Sequence, residues 1–195
     1  MGRIFLTLVL SLLLFFGTAG SSKADPAERL NSDACLKEFG FYSGWGRADI
    51  GDGNDYDTVY IGLRFGLNLE KALNWDIPGI LLFMVEPFVN PVTEPDSNYE
   101  AGCGLLLKYA FPFGEKFYPY IEGGSGGIYI SEKTPRQGSH GNFADQAGVG
   151  FYYFMRDDLA LNVGYRFRHI SNLSIEKPNR GIDSHFALAG ISLFY

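Results

Sequence analysis

Near its C-terminus the chain reads His169-Ile170-Ser171-Asn172, and Asp183 follows after a turn-rich segment. A serine hydroxyl is a poor nucleophile until a neighbouring base takes its proton, and a histidine within reach can be that base. On a strand, residues two apart point the same way, so His169 and Ser171 would share a face, roughly 6.6–7 Å apart along the chain. A carboxylate beside the imidazole would orient the ring and stabilise the imidazolium, and Asp183 is the candidate. Together the three side chains could carry acyl transfer to serine and then to water, with no metal or cofactor. The competing reading of the same residues is a solvated polar rim. His185 has no serine partner and reads as interfacial, and His140, in a turn-rich segment, reads as solvated. Two cysteines, Cys35 and Cys103, and three scattered histidines give no metal-ligand spacing.

Such a site needs strands to hold it. The 195 residues suit one domain, with 25 glycines, 16% aromatics and only 19% charged residues. Glycine weakens helices and bulky aromatics suit strands, so the mix disfavours a helical bundle. A net charge of −6 argues against nucleic acid as a partner. Arg3, the apolar run 4–17 and Ser22-Lys23-Ala24 have the layout of a signal peptide. The run falls short of the roughly 20 residues that span a bilayer as a helix. Residues 1–24 are therefore read as a cleaved signal and 25–195 as the mature domain.

The mature chain contains eight stretches of alternating polarity, at 36–48, 55–69, 79–92, 99–111, 117–131, 142–156, 158–172 and 182–195, separated by turn formers. In the second, Val59, Ile61, Leu63, Phe65, Leu67 and Leu69 share one face, while Tyr60, Gly62, Arg64, Gly66 and Asn68 share the other. In the seventh, Leu159, Leu161, Val163, Tyr165 and Phe167 oppose Ala160, Asn162, Gly164, Arg166 and Arg168. The apolar face should meet lipid. The face mixing glycine with charge should fill a lumen, where Arg64, Glu86, Glu100, Lys108, Glu122, Arg166 and Arg168 can pair. A soluble sandwich would reverse the faces. The signal peptide, the even strand count and the ending Ile191-Ser192-Leu193-Phe194-Tyr195 favour an all-β, eight-stranded antiparallel transmembrane up-and-down barrel in the cell outer membrane. A soluble periplasmic protein binding an apolar ligand is disfavoured on the same grounds.

With both termini in the periplasm, the loop after the seventh strand lies outside. Cys35 and Cys103 then sit too far apart to bridge. His169 and Ser171 continue the apolar face of the seventh strand, and Asp183 lies on the apolar face of the eighth. All three are expected to point outward, at the outer rim. Asn172 has the opposite parity and should start toward the lumen.

The segment His169-Ile170-Ser171-Asn172 followed by Lys177-Pro178-Asn179-Arg180-Gly181-Ile182-Asp183-Ser184 resembles the C-terminal signature of the lipid A 3-O-deacylases. The resemblance is tight over 166–184 and extends loosely over the mature chain, including Pro119-Tyr120-Ile121-Glu122-Gly123-Gly124. It implies an outer-membrane esterase that removes the ester-linked 3-position acyl chain of lipid A. Lipopolysaccharide in the outer leaflet would be its partner, and a homodimer is left open. Carried over, His169 is the general base, Ser171 the nucleophile and Asp183 the orienting acid. Asn172 resembles the residue that helps hold the oxyanion, a task that the following backbone N–H groups could otherwise take. Members of the family carry glutamate where this chain has Asp183, one methylene shorter. The alternative function is a non-catalytic structural or adhesive barrel with a decayed site.

Overall fold

Strands that turn bulky apolar side chains to one face and glycine with charge to the other can serve lipid and a packed interior at once, provided the sheet closes on itself. The chain does this with β1 (Leu36–Asp49), β2 (Asp55–Asn68), β3 (Ile80–Glu94), β4 (Asn98–Ala110), β5 (Phe117–Ile130), β6 (Gly141–Arg156), β7 (Leu159–Ser171) and β8 (Ile182–Phe194). Each strand pairs antiparallel with the next, and β8 pairs back with β1 to close the barrel. The structure, a computed structural model, describes residues 34–51 and 54–195, and the segment read as a signal peptide lies outside them. Every strand end falls within two residues of the limits expected from the alternation.

One element departs from that expectation. Leu69, grouped above with the apolar face of the second strand, instead opens a one-turn helix, α1 (Leu69–Leu73). The cause is local: the Asn68 side chain accepts the Lys71 N–H at 3.1 Å, and Asn74 ends the turn in the left-handed conformation.

The two faces behave as the parity requires. Ile61, Leu63, Leu105, Leu107, Ile121, Val149, Leu161 and Tyr165 lie exposed on the outside. All seven charged residues expected in the lumen are buried. There Arg166 reaches Glu86 at 2.8 Å and Glu122 at 2.5 Å, and Arg64 holds the same two carboxylates at 2.6 and 2.7 Å. Lys108 adds a contact to Glu122 at 3.1 Å. Nearer the β7–β8 loop, Arg168 grips Glu100 at 2.7 and 3.0 Å, and the same carboxylate accepts from Tyr56 and Asn90. Buried charges are tolerated only when paired in this way. Inward glycines make room for the rings among them: a β-carbon at Gly164 would stand 2.6 Å from the hydroxyls of both Tyr42 and Tyr120. Cys35 and Cys103 are both free, in keeping with their places on the topology.

Candidate active site

Arg166 and Arg168 turn inward from β7, so Phe167, His169 and Ser171 turn outward between and beyond them. The bidentate Arg168–Glu100 pair thus fixes the β7 backbone from inside, beside the residue that carries the imidazole outside. Across the β7–β8 hairpin, His169 is the direct register partner of Asp183. The imidazole Nδ1 lies 2.5 Å from Asp183 Oδ1. With the carboxylate accepting, Nδ1 is the donor and Nε2 keeps the lone pair of a base. The histidine side chain is 39% exposed and the aspartate 61%, so the pair sits at an open surface and not in a lumen pocket. The shorter aspartate therefore reaches His169 directly.

Gly181 presses on this pair. Its φ is +76°, and a β-carbon there would stand 2.6 Å from His169 Cε1. Backbone conformation and ring contact both demand glycine at this point.

Ser171 ends β7 on the same outward face, two residues beyond His169. Among the described residues its hydroxyl makes no hydrogen bond, so the imidazole and the hydroxyl lie on one face without being joined. The chain then enters a tight turn. Leu173 and Ser174 have φ of +54° and +63°, and Ile175 N–H closes the turn on Asn172 C=O at 3.1 Å. Two consecutive non-glycine residues in this region carry strain of a kind that collects at functional sites. Among the described residues the N–H groups of Leu173 and Ser174 have no acceptor. Asn172 is buried, with its carboxamide turned inward as its parity requires. Its Nδ2 donates to Glu176 C=O at 2.8 Å and to Gln137 Oε1 at 3.4 Å, and its N–H donates to Asn179 Oδ1 at 2.9 Å. The structure thus brings His169 and Asp183 together, sets Ser171 beside them, and turns the Asn172 side chain away from all three.

Sequence reasoning missed Asp145. It is exposed on β6 and is the register partner of His169 on the side opposite Asp183, so carboxylates flank the imidazole on both neighbouring strands. The available signal was an acidic residue at an apolar-parity position of the sixth stretch. His185 lies one outward position deeper than Asp183, its Nδ1 2.6 Å from the Tyr165 hydroxyl. His140 is not simply solvated: it stacks on Tyr129, with Nδ1 2.8 Å from Ile130 C=O.

The family model for lipid A 3-O-deacylase (PagL) matches residues 59–192, a span that holds all of β7, the turn after it and most of β8. The chain belongs to this family. A lipid A deacylase PagL of Bordetella bronchiseptica is 37% identical over 73 residues, which are 36% of this chain and 38% of that protein, so the match spans well under half of the curated relative. Among solved structures, the outer membrane enzyme PagL superposes with a TM-score of 0.58 at 23% identity, covering 78% of this chain and 97% of the other. Neisserial surface protein A superposes with a TM-score of 0.63 at 15% identity, covering 81% and 96%. At these identities the two structures establish the shared outer-membrane barrel fold.

Proposed function

We propose that this PagL-family barrel is an outer-membrane esterase that removes the ester-linked 3-position acyl chain of lipid A by a Ser171–His169–Asp183 mechanism. The observation that carries the reading is the 2.5 Å His169–Asp183 contact, on the lipid-facing side and one outward position from Ser171. Inside the barrel such a pair would be structural. Outside, at the rim, its polar atoms meet the level where acyl esters join head groups.

In the proposed cycle His169 Nε2 takes the Ser171 proton as Oγ attacks the ester carbonyl. Asp183 holds the tautomer and stabilises the imidazolium. The oxyanion is received by the strained turn after Ser171, where Leu173 and Ser174 offer N–H groups. Asn172 serves through the turn that it opens and braces, not through its carboxamide. The imidazolium returns its proton to the leaving sugar oxygen. Water then attacks the acyl-serine with His169 again as base, releasing the fatty acid and restoring the hydroxyl. Below the site, Ala187 sits in register between Trp45 on β1 and Tyr165 on β7, a furrow of small side chain between large ones that suits the bound acyl chain. All three reacting side chains come from one chain, so the chemistry needs no second copy. Residues 1–24 are proposed to direct export and to be removed.

The test is mass spectrometry of lipid A from a lipopolysaccharide-bearing host expressing the protein. Loss of one 3-linked acyl chain is expected. A folded barrel in the outer membrane with lipid A unchanged would instead favour a structural role.

A further inference from the structure

Ser171 is bracketed by a residue from a different loop. Gln137 lies in the β5–β6 connection and is fully buried. Its Nε2 donates to Ile170 C=O at 3.0 Å, and its Oε1 accepts from Asn172 Nδ2 at 3.4 Å. These are the residues immediately before and after Ser171. The same Nε2 also donates at 3.0 Å to Asn179 Oδ1, the atom that accepts the Asn172 N–H. Gln137 and Asn179 further form a backbone bridge, extended by Gly138 N–H to Pro178 C=O at 2.7 Å and Arg180 N–H to Arg136 C=O at 2.8 Å. Thr134 holds Gln137 from its own side, accepting the Gln137 N–H on its carbonyl at 3.1 Å and on its hydroxyl at 2.9 Å. A second tie between the two loops lies at the surface, where Lys133 meets Glu176 at 2.6 Å and holds that carboxyl below its usual range.

We propose that Gln137 is a positioning residue for the nucleophile, its buried carboxamide fixing Ile170 and Asn172 so that Ser171 and the strained turn behind it stay in reacting geometry. The proposal rests on the reading of Ser171 as nucleophile. A strand end leading into a loop is free to fray, and residues 172–181 have no ladder partner on β8 to hold them. A carboxamide can donate and accept at once, which is what spanning Ile170 C=O and Asn172 Nδ2 requires, and a buried polar group left unmatched there is costly. Displacing a nucleophile by about 1 Å can cost on the order of a hundredfold in rate. Gln137 touches no reacting atom, so its removal should slow turnover without weakening the hold on lipid A.

The experiment compares full-length wild type with Gln137→Leu, Lys133→Ala and Ser171→Ala, each refolded in detergent with lipid A as substrate. Gln137→Leu keeps the shape and loses the hydrogen bonds. It is expected to lower kcat about 10- to 100-fold with KM changed less than about twofold. Its reaction with an alkyl fluorophosphonate, a direct reading of Ser171, should slow in parallel. Lys133→Ala loosens the loops without touching the bracket and should match wild type. If Gln137→Leu is not recovered as a heat-modifiable barrel, Gln137→Glu is scored in its place, since it can still accept from Asn172 but cannot donate to Ile170. Wild-type kcat in the scored variant overturns the proposal, as does an equal loss in Lys133→Ala, which would indicate general loop attachment. An active Ser171→Ala removes the nucleophile reading itself, and that outcome is separate from the other two.

Discussion

The lumen and the outer rim of β7 lie one residue apart and put similar groups to different ends. Arg166 and Arg168 turn inward, each bound to carboxylates that other strands supply, and all the partners are buried. His169 turns outward at an open surface and hydrogen-bonds one of the two carboxylates that flank it, with the unbonded hydroxyl of Ser171 on the same face. Inside, the arginines of β2 and β7 are ion-paired with buried carboxylates, and the worth of these pairs is conformational. Outside, one base nitrogen and one hydroxyl remain available. Perturbed ionisable groups are often taken as pointers to active sites. In this barrel the densest set of charges lies buried in the lumen, and the proposed site is the sparse polar group on a face otherwise built for lipid.

That contrast can be broken by substitutions scored as specific activity of folded barrel. The largest loss is expected from His169→Ala, on the order of a thousandfold or more, because base and nucleophile act as a unit. Recovery of most activity would show that another group takes the proton. Asp183→Ala should be about tenfold to a hundredfold milder, since the acid orients the ring and does not form bonds. Asp145→Ala should be milder still, about tenfold or less, because Asp183 and not Asp145 makes the hydrogen bond to His169. A reversed order in lipid A hydrolysis would exchange the roles of the two carboxylates. Asp183→Glu is expected to keep activity within about threefold, since hydrolase triads accept either acid. Glu122→Gln should leave the activity of the folded fraction unchanged while lowering stability by about 3–5 kcal/mol, the cost of breaking a buried pair. That loss would be read from the thermal shift of the heat-modifiable gel band.

Much of this was legible in the sequence because a barrel strand states its two faces directly. From Val59 to Leu69 and from Leu159 to Phe167 the odd positions are apolar, while the even faces carry Arg64, Arg166 and Arg168, so strand limits and lumen contents followed from a period of two. His169, Ser171 and Asp183 were legible for the same reason, as polar residues on apolar parity. Parity also placed the Asn172 side chain inward. Less legible was whatever depends on loops. α1 arises from asparagine capping, a local preference that competes with strand alternation over a single turn. Gln137 is separated from Ser171 by the whole of β6 and the rest of β7, and only the folded β5–β6 loop carries its side chain between Ile170 and Asn172. Asp145 followed the same parity rule as His169, but a lone carboxylate on a strand has no local pattern to mark it, and its neighbour becomes known only through the β6–β7 register.

The central claim is that the outward group at the end of β7 does the chemistry. The most direct measurement is the lipid A mass profile of a lipopolysaccharide-bearing host expressing either wild type or Ser171→Ala, at equal levels of folded barrel in the outer membrane. The account predicts loss of the 3-linked acyl chain with wild type and intact lipid A with Ser171→Ala. Equal loss of that chain with both proteins would contradict it.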